Sequence, residues 1–480
     1  MLMKKCKDES MVSRRKFLAG GAALGAAGAA IYATPMAKNL FLPPKANYVL
    51  TAQQSQWDFG GHISNPAQVF SYQKDQPVPL IRMQQGQPFY ARLKNHLLEP
   101  TTIHWHGIRL PNAMDGVPYL TQEPVYPTES FDYQFTPKDA GTYFYHSHFN
   151  SLAQLSQGLA GMIIIDEVKK PDFDHDIPLN LRDWRINENG KYQNFLEPKT
   201  AAKAGTFGQL KTANWQVAPN HMVKPNSLVR LRILVSDVTR IFKLIVKDSS
   251  NPEAKAKIIA IDGNPIDDIR DMGREWIGPG MRMDIAILTP DEGQTIELLN
   301  TSTNKPWVVA SLTSQGQSQK RVWQDLKPLP QNPIEPLDLQ GAEIKKFEFS
   351  ASSGEQEDLG INCAASEYIF WAINKVAIGH LDPNSSSLRP TASLKLGKTY
   401  IFEFTNVTPQ THPIHLHGFF FRVLSSTKRK IAPHWADTSL IRPKETVRVA
   451  FNADTLGNWL MHCHILEHQK TGMTGYINVS

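Results

Sequence analysis

The chain has 480 residues, 41% of them hydrophobic and 20% charged, with a formal net charge of +6. A chain of this length holds about two to four domains, with enough apolar residues to bury sizeable cores. In residues 1–37, Lys4, Lys5, Lys7, Arg14, Arg15 and Lys16 face only Asp8 and Glu9. Without that surplus of four the remainder carries about +2, so the charge implies no nucleic-acid partner.

The N-terminal stretch "SRRKFLAGGAALGAAGAAIYATPMA" places paired arginines before Phe17 and Leu18 and then an Ala/Gly-rich apolar run. It resembles a twin-arginine signal, too rich in small residues for a membrane anchor. Cleavage is expected after Ala37, or alternatively Ala33. The twin-arginine export machinery is then a partner, and the mature protein is expected to be periplasmic. No other apolar run reaches the length of a membrane span. Cys6 leaves with the signal, Cys463 is a candidate ligand, and Cys363 stands alone, so no intramolecular disulfide is expected.

Short runs rich in Val, Ile, Phe and Tyr follow, punctuated by Gly, Pro, Asn and Asp. "LVRLRILV", "AKIIAI", "RMDIAIL", "TYIFEFTNV" and "TVRVAF" read as strands at sandwich spacing. Long periodic helices are scarce, so an all-β, multi-sandwich protein is predicted. The proline-rich "LKPLPQNPIEPLDL" reads as a linker.

Ten of the 16 histidines fall in four clusters. In chain order these are "TIHWHGIRLPNAMDG" with His104 and His106, "GTYFYHSHFN" with His146 and His148, "QTHPIHLHGFF" with His412, His415 and His417, and "MHCHILEH" with His462, His464 and His468. On a strand, H-x-H puts both imidazoles on one face, which suits a shared metal. His62, His96, His175, His221, His380 and His434 stand alone and read as ordinary core or surface residues.

The last cluster lies in "NWLMHCHILEHQKTGMTG", residues 458–475. Thiolate, imidazole and thioether donors (Cys463, His468 and Met473) suit a blue-copper electron-transfer site, which needs one more imidazole. His462 and His464 flank Cys463 and would point to the opposite face of a strand, toward a different metal. The stretch therefore reads as a relay between two metal sites. The zinc alternative lacks the paired C-x2-4-C cysteines that zinc sites usually show.

These four motifs, spanning residues 104–473, resemble those of the multicopper oxidases, the family of laccases, ascorbate oxidase, bilirubin oxidase and bacterial cuprous oxidases. The resemblance implies four copper ions. His412, Cys463 and His468, with Met473 axial, would hold the type 1 blue copper. His104 and His415 would hold the type 2 copper. His106, His146, His148, His417, His462 and His464 would hold the type 3 pair. It also implies three cupredoxin-like Greek-key β-sandwich domains, placed here at residues 45–168, 175–325 and 338–480. The copper cluster would lie where the first and last domains meet, with the middle domain acting as a spacer. Such an enzyme couples four one-electron oxidations to the reduction of O2 to two waters, with Cys463 as electron relay.

Two acidic positions bear on proton supply. Asp115 matches a carboxylate that the family places near the type 2 copper, although Asp-Gly also favours a turn. Gln469 stands where many bacterial relatives carry glutamate, and an amide cannot supply a proton as a carboxylic acid does. Glu467 is adjacent, but its side chain is expected to point elsewhere. The substrate is expected to be a small organic reductant such as a phenol. The 13 methionines are scattered, and "NVTPQT" before His412 offers neither methionine nor carboxylate. A metallo-oxidase for Cu(I), Fe(II) or Mn(II), and a non-catalytic copper-binding or scaffold protein, are the alternatives. A monomer is expected.

Overall fold

The computed structural model describes residues 46–74, 79–248, 256–352, 368–379, 381–382 and 388–480. The proposed export signal, Cys6, Cys363 and His380 lie outside them. The described residues form six sheets, packed in pairs as three sandwiches. Each of the five strand-like runs read from the sequence is a strand; Leu228–Val235, Ala256–Ile261 and Arg282–Leu288 match their motifs end to end. Alternation fails in these central strands because they are covered on both faces: all eight residues of Leu228–Val235 are buried.

The first sandwich has a sheet ordered Ala67–Ser71, Tyr48–Trp57, Phe89–Asn95, Ser130–Phe135 and a second ordered Ile81–Gln84, Ala160–Asp166, Gly141–His146, His104–His106. Most neighbours are not consecutive in the chain, as in Greek-key connections. Leu93, Trp105 and Ile163 belong to its core. The last sandwich has an analogous inner sheet, ordered Ala392–Leu394, Thr474–Val479, Gly457–Cys463, His412–Leu416, Thr438–Ile441.

The segment read as a linker is more than a tether. Asn332 exchanges hydrogen bonds with the Ala140 backbone at 2.9 and 3.0 Å and donates to Asn264 Oδ1 at 3.0 Å, pinning the first sandwich to the middle one. Deeper in that interface Arg230 bridges Glu167 and Asp284, and Thr142 donates to Asp284 at 2.7 Å. Removing one partner of such a buried network leaves a charge uncompensated, so these contacts fix how the two sandwiches meet.

Candidate metal centres

All four histidine motifs sit on, or directly after, the inner strands of the first and last sandwiches. In the first, His104–His106 runs antiparallel to Gly141–His146 with His104 opposite His146. In the last, His412–Leu416 runs antiparallel to Gly457–Cys463, with Ile414 opposite Cys463 and His415 opposite His462. The two-residue period then sorts the side chains. Cys463 goes to one face and His462 to the other.

On the first face three donor atoms converge. Cys463 Sγ lies 3.7 Å from His412 Nδ1 and 3.6 Å from His468 Nδ1, and the two nitrogens are 3.1 Å apart. All three residues are fully buried. His468 Nε2 donates to the Lys203 carbonyl at 2.7 Å, so its Nδ1 carries the lone pair. Thr408 Oγ1 meets His412 Nε2 at 2.8 Å. Met473 is buried in the same core, and its carbonyl accepts the Cys463 amide at 3.0 Å. Burial pushes the Cys463 thiol up. A metal here must therefore displace a proton on binding.

On the second face eight imidazoles cluster. His104 and His417 stack with centroids 3.8 Å apart, and His106 and His415 stack at 3.7 Å. Both pairs join the first sandwich to the last. His106, His146 and His464 lie within 5.9 Å of one another, and His148, His417 and His462 within 5.5 Å. Backbone carbonyls fix several rings. Nδ1 of His104, His146, His415 and His462 meets the carbonyl of Asp115, Ser147, Asp437 and Cys463 respectively, at 2.8–3.0 Å. These tautomers leave lone pairs on Nε2.

Those lone pairs are the test of whether a cation fits. Nε2 of His104, His146, His148 and His415, Nδ1 of His106 and both nitrogens of His464 are buried without a hydrogen-bond partner. His417 Nε2 faces His462 Nε2 at 3.2 Å, while Nδ1 of His417 meets Asp115 Oδ2 at 2.9 Å. Two lone pairs pointing at each other in a dry site repel unless a cation stands between them. Soft, imidazole-preferring metal ions fit these residues.

Desolvation also keeps the imidazoles neutral, with His462 and His468 held down at about 3. Below about pH 6.5 the unfolded chain binds protons that these folded rings refuse, so stability falls as pH falls toward 3. Each such ring costs about 1.4 kcal/mol per pH unit in that window. The Tm of the metal-free protein should therefore drop steadily from pH 7 to pH 5. A flat profile would mean the rings are open to protons in the folded state.

Asp115 follows the 3-10 turn Asn112–Met114 and is buried. Its carboxylate meets Nδ1 of His417 at 2.9 Å and Nδ1 of His104 at 3.2 Å. Turn residue and cluster neighbour are thus one and the same. Gly116 makes this approach possible. Its φ is +82°, and a Cβ there would collide with the Ile103 carbonyl. Gln469 shares a cavity of about 60 Å³ with His148. Glu467 instead pairs with Arg185 at 2.8 Å and accepts from Thr206, clamping the segment that carries Lys203.

The spacer reading of the middle sandwich needs correction. Gly280 packs so tightly against His464 and His106 that no Cβ would fit. Arg282 forms a two-pronged ion pair with Asp437, which accepts from His106 Nε2 at 3.0 Å. Arg282 holds the Asp437 carboxyl well below the usual carboxylate range, against the opposing effect of burial. The Lys203 carbonyl caps His468, and the Ala201 carbonyl accepts from Trp371, whose ring lies 4.5 Å from His468. Asp437, Arg282, Thr408 and Trp371 went unnoticed in the sequence, because none stands in a spaced motif.

Two family models described as multicopper oxidase match residues 51–170 and 365–480. A solved multi-copper oxidase from Pseudomonas Thermotolerans is 37% identical, covering 91% of this chain and 100% of that one, with a TM-score of 0.80. The multicopper oxidase MmcO of Mycobacterium tuberculosis is 27% identical over 97% of this chain and 96% of its own length. A Campylobacter jejuni multicopper oxidase described as a metallo-oxidase is 25% identical, covering 94% of each chain, with a TM-score of 0.73.

Proposed function

The chain belongs to the multicopper oxidase family and is a copper-dependent oxidoreductase with O2 as acceptor, and on that premise we propose that it oxidises a small reductant in one-electron steps and reduces O2 to two waters at a four-copper site. The observation that carries this reading is the pairing of a Cys463, His412, His468 donor trio with eight histidines whose lone pairs face one another, back to back across one strand. In this reading the trio together with Met473 would hold the type 1 copper, and His104 and His415 would hold the type 2 copper. His106, His146 and His464 would hold one type 3 ion, and His148, His417 and His462 the other. Bound copper supplies one-electron storage at the thiolate site and four-electron delivery to O2 at the cluster.

The protein's own residues do the rest. Carbonyls of Asp115, Ser147, Asp437 and Cys463 orient the rings. Burial keeps water from the thiolate. His462-Cys463-His464 gives a short covalent path from one face of the strand to the other. Asp115 is the proposed source of protons for the cluster: like Asp437 it is a buried carboxylate touching two rings, but Asp437 is held as a carboxylate by its ion pair with Arg282, whereas Asp115 meets only imidazoles among the ion pairs of the described residues.

For the reductant, a phenolic or other small organic donor remains the first reading, because residues 406–411 offer neither methionine nor carboxylate beside His412. A metal-ion donor is the second, favoured by the Lys203 carbonyl. It occupies the His468 Nε2 edge and so denies an aromatic substrate direct contact there. Oxygen uptake by the copper-loaded protein with a phenol, a dye, Cu(I), Fe(II) and Mn(II) in parallel separates these readings. No uptake with any donor would leave the non-catalytic copper-binding reading.

The axial assignment has its own test. Met473→Leu should raise the type 1 potential, since losing a weak donor destabilises Cu(II) relative to Cu(I). Redox titration beside wild type reads this directly, and an unchanged or lower potential would remove Met473 from the ligand set. Export to the periplasm by the twin-arginine route is also proposed, supported by Arg14-Arg15 ahead of the apolar run. Replacing both arginines by lysine should retain the protein in the cytoplasm.

A further inference from the structure

A cleft of about 650 Å³ opens between the middle and last sandwiches, walled by residues 258–283 on one side and 429–442 on the other. Six cationic side chains line it, against one carboxylate, Glu275. Two of the six are already satisfied: Arg282 by Asp437, and Arg429 by Glu445 at 2.9 Å. The other four, Arg270, Arg274, Lys430 and Arg442, have no ion-pair partner among the described residues. Concentrating like charge in a concave, low-dielectric wall is unfavourable unless something of opposite sign occupies it.

Trp276 shapes one side of the cleft. Lys243 lies 5.1 Å from its ring and Arg442 6.0 Å, so the indole spaces two cations. The positive field is felt by the groups within it. His434 is held down at about 4 by burial, with Arg270, Arg429 and Arg422 adding to the effect. Burial and Arg429 likewise lower the Arg442 guanidinium.

We propose that this cleft binds a small multivalent oxyanion, a di- or tricarboxylate or a condensed phosphate, through Arg270, Arg274, Lys430 and Arg442. The volume falls in the range of small-molecule sites, and the location between domains is a common one for them. An extended polyanion would need a continuous basic surface rather than a cleft of this size. Guanidinium forks match the paired oxygens of carboxylate and phosphate. The cleft is separated from the histidine cluster by Arg282 and Asp437, so occupancy does not require displacing any imidazole.

Isothermal calorimetry on the copper-loaded protein, with pyrophosphate and citrate as separate probes and chloride as the monovalent control, tests this. One probe or both should bind one per chain, weaken as salt rises, and outbind chloride. The stronger of the two identifies phosphate or carboxylate chemistry. Arg274→Ala and Lys430→Ala alter exposed side chains and should leave Tm and the blue band unchanged while each weakens binding about tenfold or more. No binding of either probe, or affinities unchanged in both variants, would overturn the proposal. Because the readout is anion binding and not oxidase turnover, it fails or stands apart from the copper assignments.

Discussion

Cys463→Ser should abolish both the intense blue colour and the oxidase activity, while copper content falls by about one ion per chain. The colour needs thiolate-to-Cu(II) charge transfer, and a serine hydroxyl is neither soft nor ionised at neutral pH. Cys463 is fully buried, with Nδ1 of His412 and of His468 at 3.7 and 3.6 Å from its sulfur. The substituted site keeps two lone pairs 3.1 Å apart and loses its third donor. The eight imidazoles on the other face are untouched, four of them still oriented by carbonyls, so the cluster's copper should stay. Absorption spectra, metal analysis and oxygen uptake on the same preparation separate the outcomes. Retained colour would mean that another group holds the type 1 ion. Lost colour with full activity would mean that electrons reach the cluster without Cys463.

The second large effect is expected from Asp115→Asn. The substitution keeps the size and one accepting oxygen for His417, while His104 keeps the backbone carbonyl of residue 115, but it removes the acid. If Asp115 supplies protons, re-oxidation of the reduced enzyme by O2 should slow by about 10²–10⁴-fold, the usual worth of a positioned acid or base. Anaerobic bleaching of the blue band by reductant should be nearly unchanged, since His412, Cys463 and His468 lie on the other face of the strand. Stopped-flow measurement of both phases makes the distinction. A bleaching defect instead would assign Asp115 to folding or substrate access, and equal re-oxidation rates would demote it to a turn residue that also orients His417. Gln469→Glu adds a second arm. Gln469 shares a small cavity with His148, and Val117, two residues beyond Asp115, lines the same space. An acid introduced there should recover part of the Asp115→Asn deficit.

The sequence by itself determined which residues are the candidate donors and, for those on strands, which face each would take. H-x-H and H-C-H spacing is a local property, and a strand's period of two converts it directly into direction. Thus Cys463 and His462 diverge, and His104 and His106 reach the second face together with His146, in the sheet registers observed. The all-β class was equally legible, because runs such as Arg282–Leu288 are short, β-branched and bounded by turn residues. What only the tertiary structure decided is how those donors are held. Asp437 meets His106 across 331 positions, and Lys203 meets His468 across 265. The Arg282 guanidinium reaches Asp437 from a sandwich with no metal motif at all. Such contacts arise when two sandwiches close on each other, and neither partner carries a spacing that announces the other. A carbonyl donor such as that of Lys203 leaves still less trace, since every residue has one.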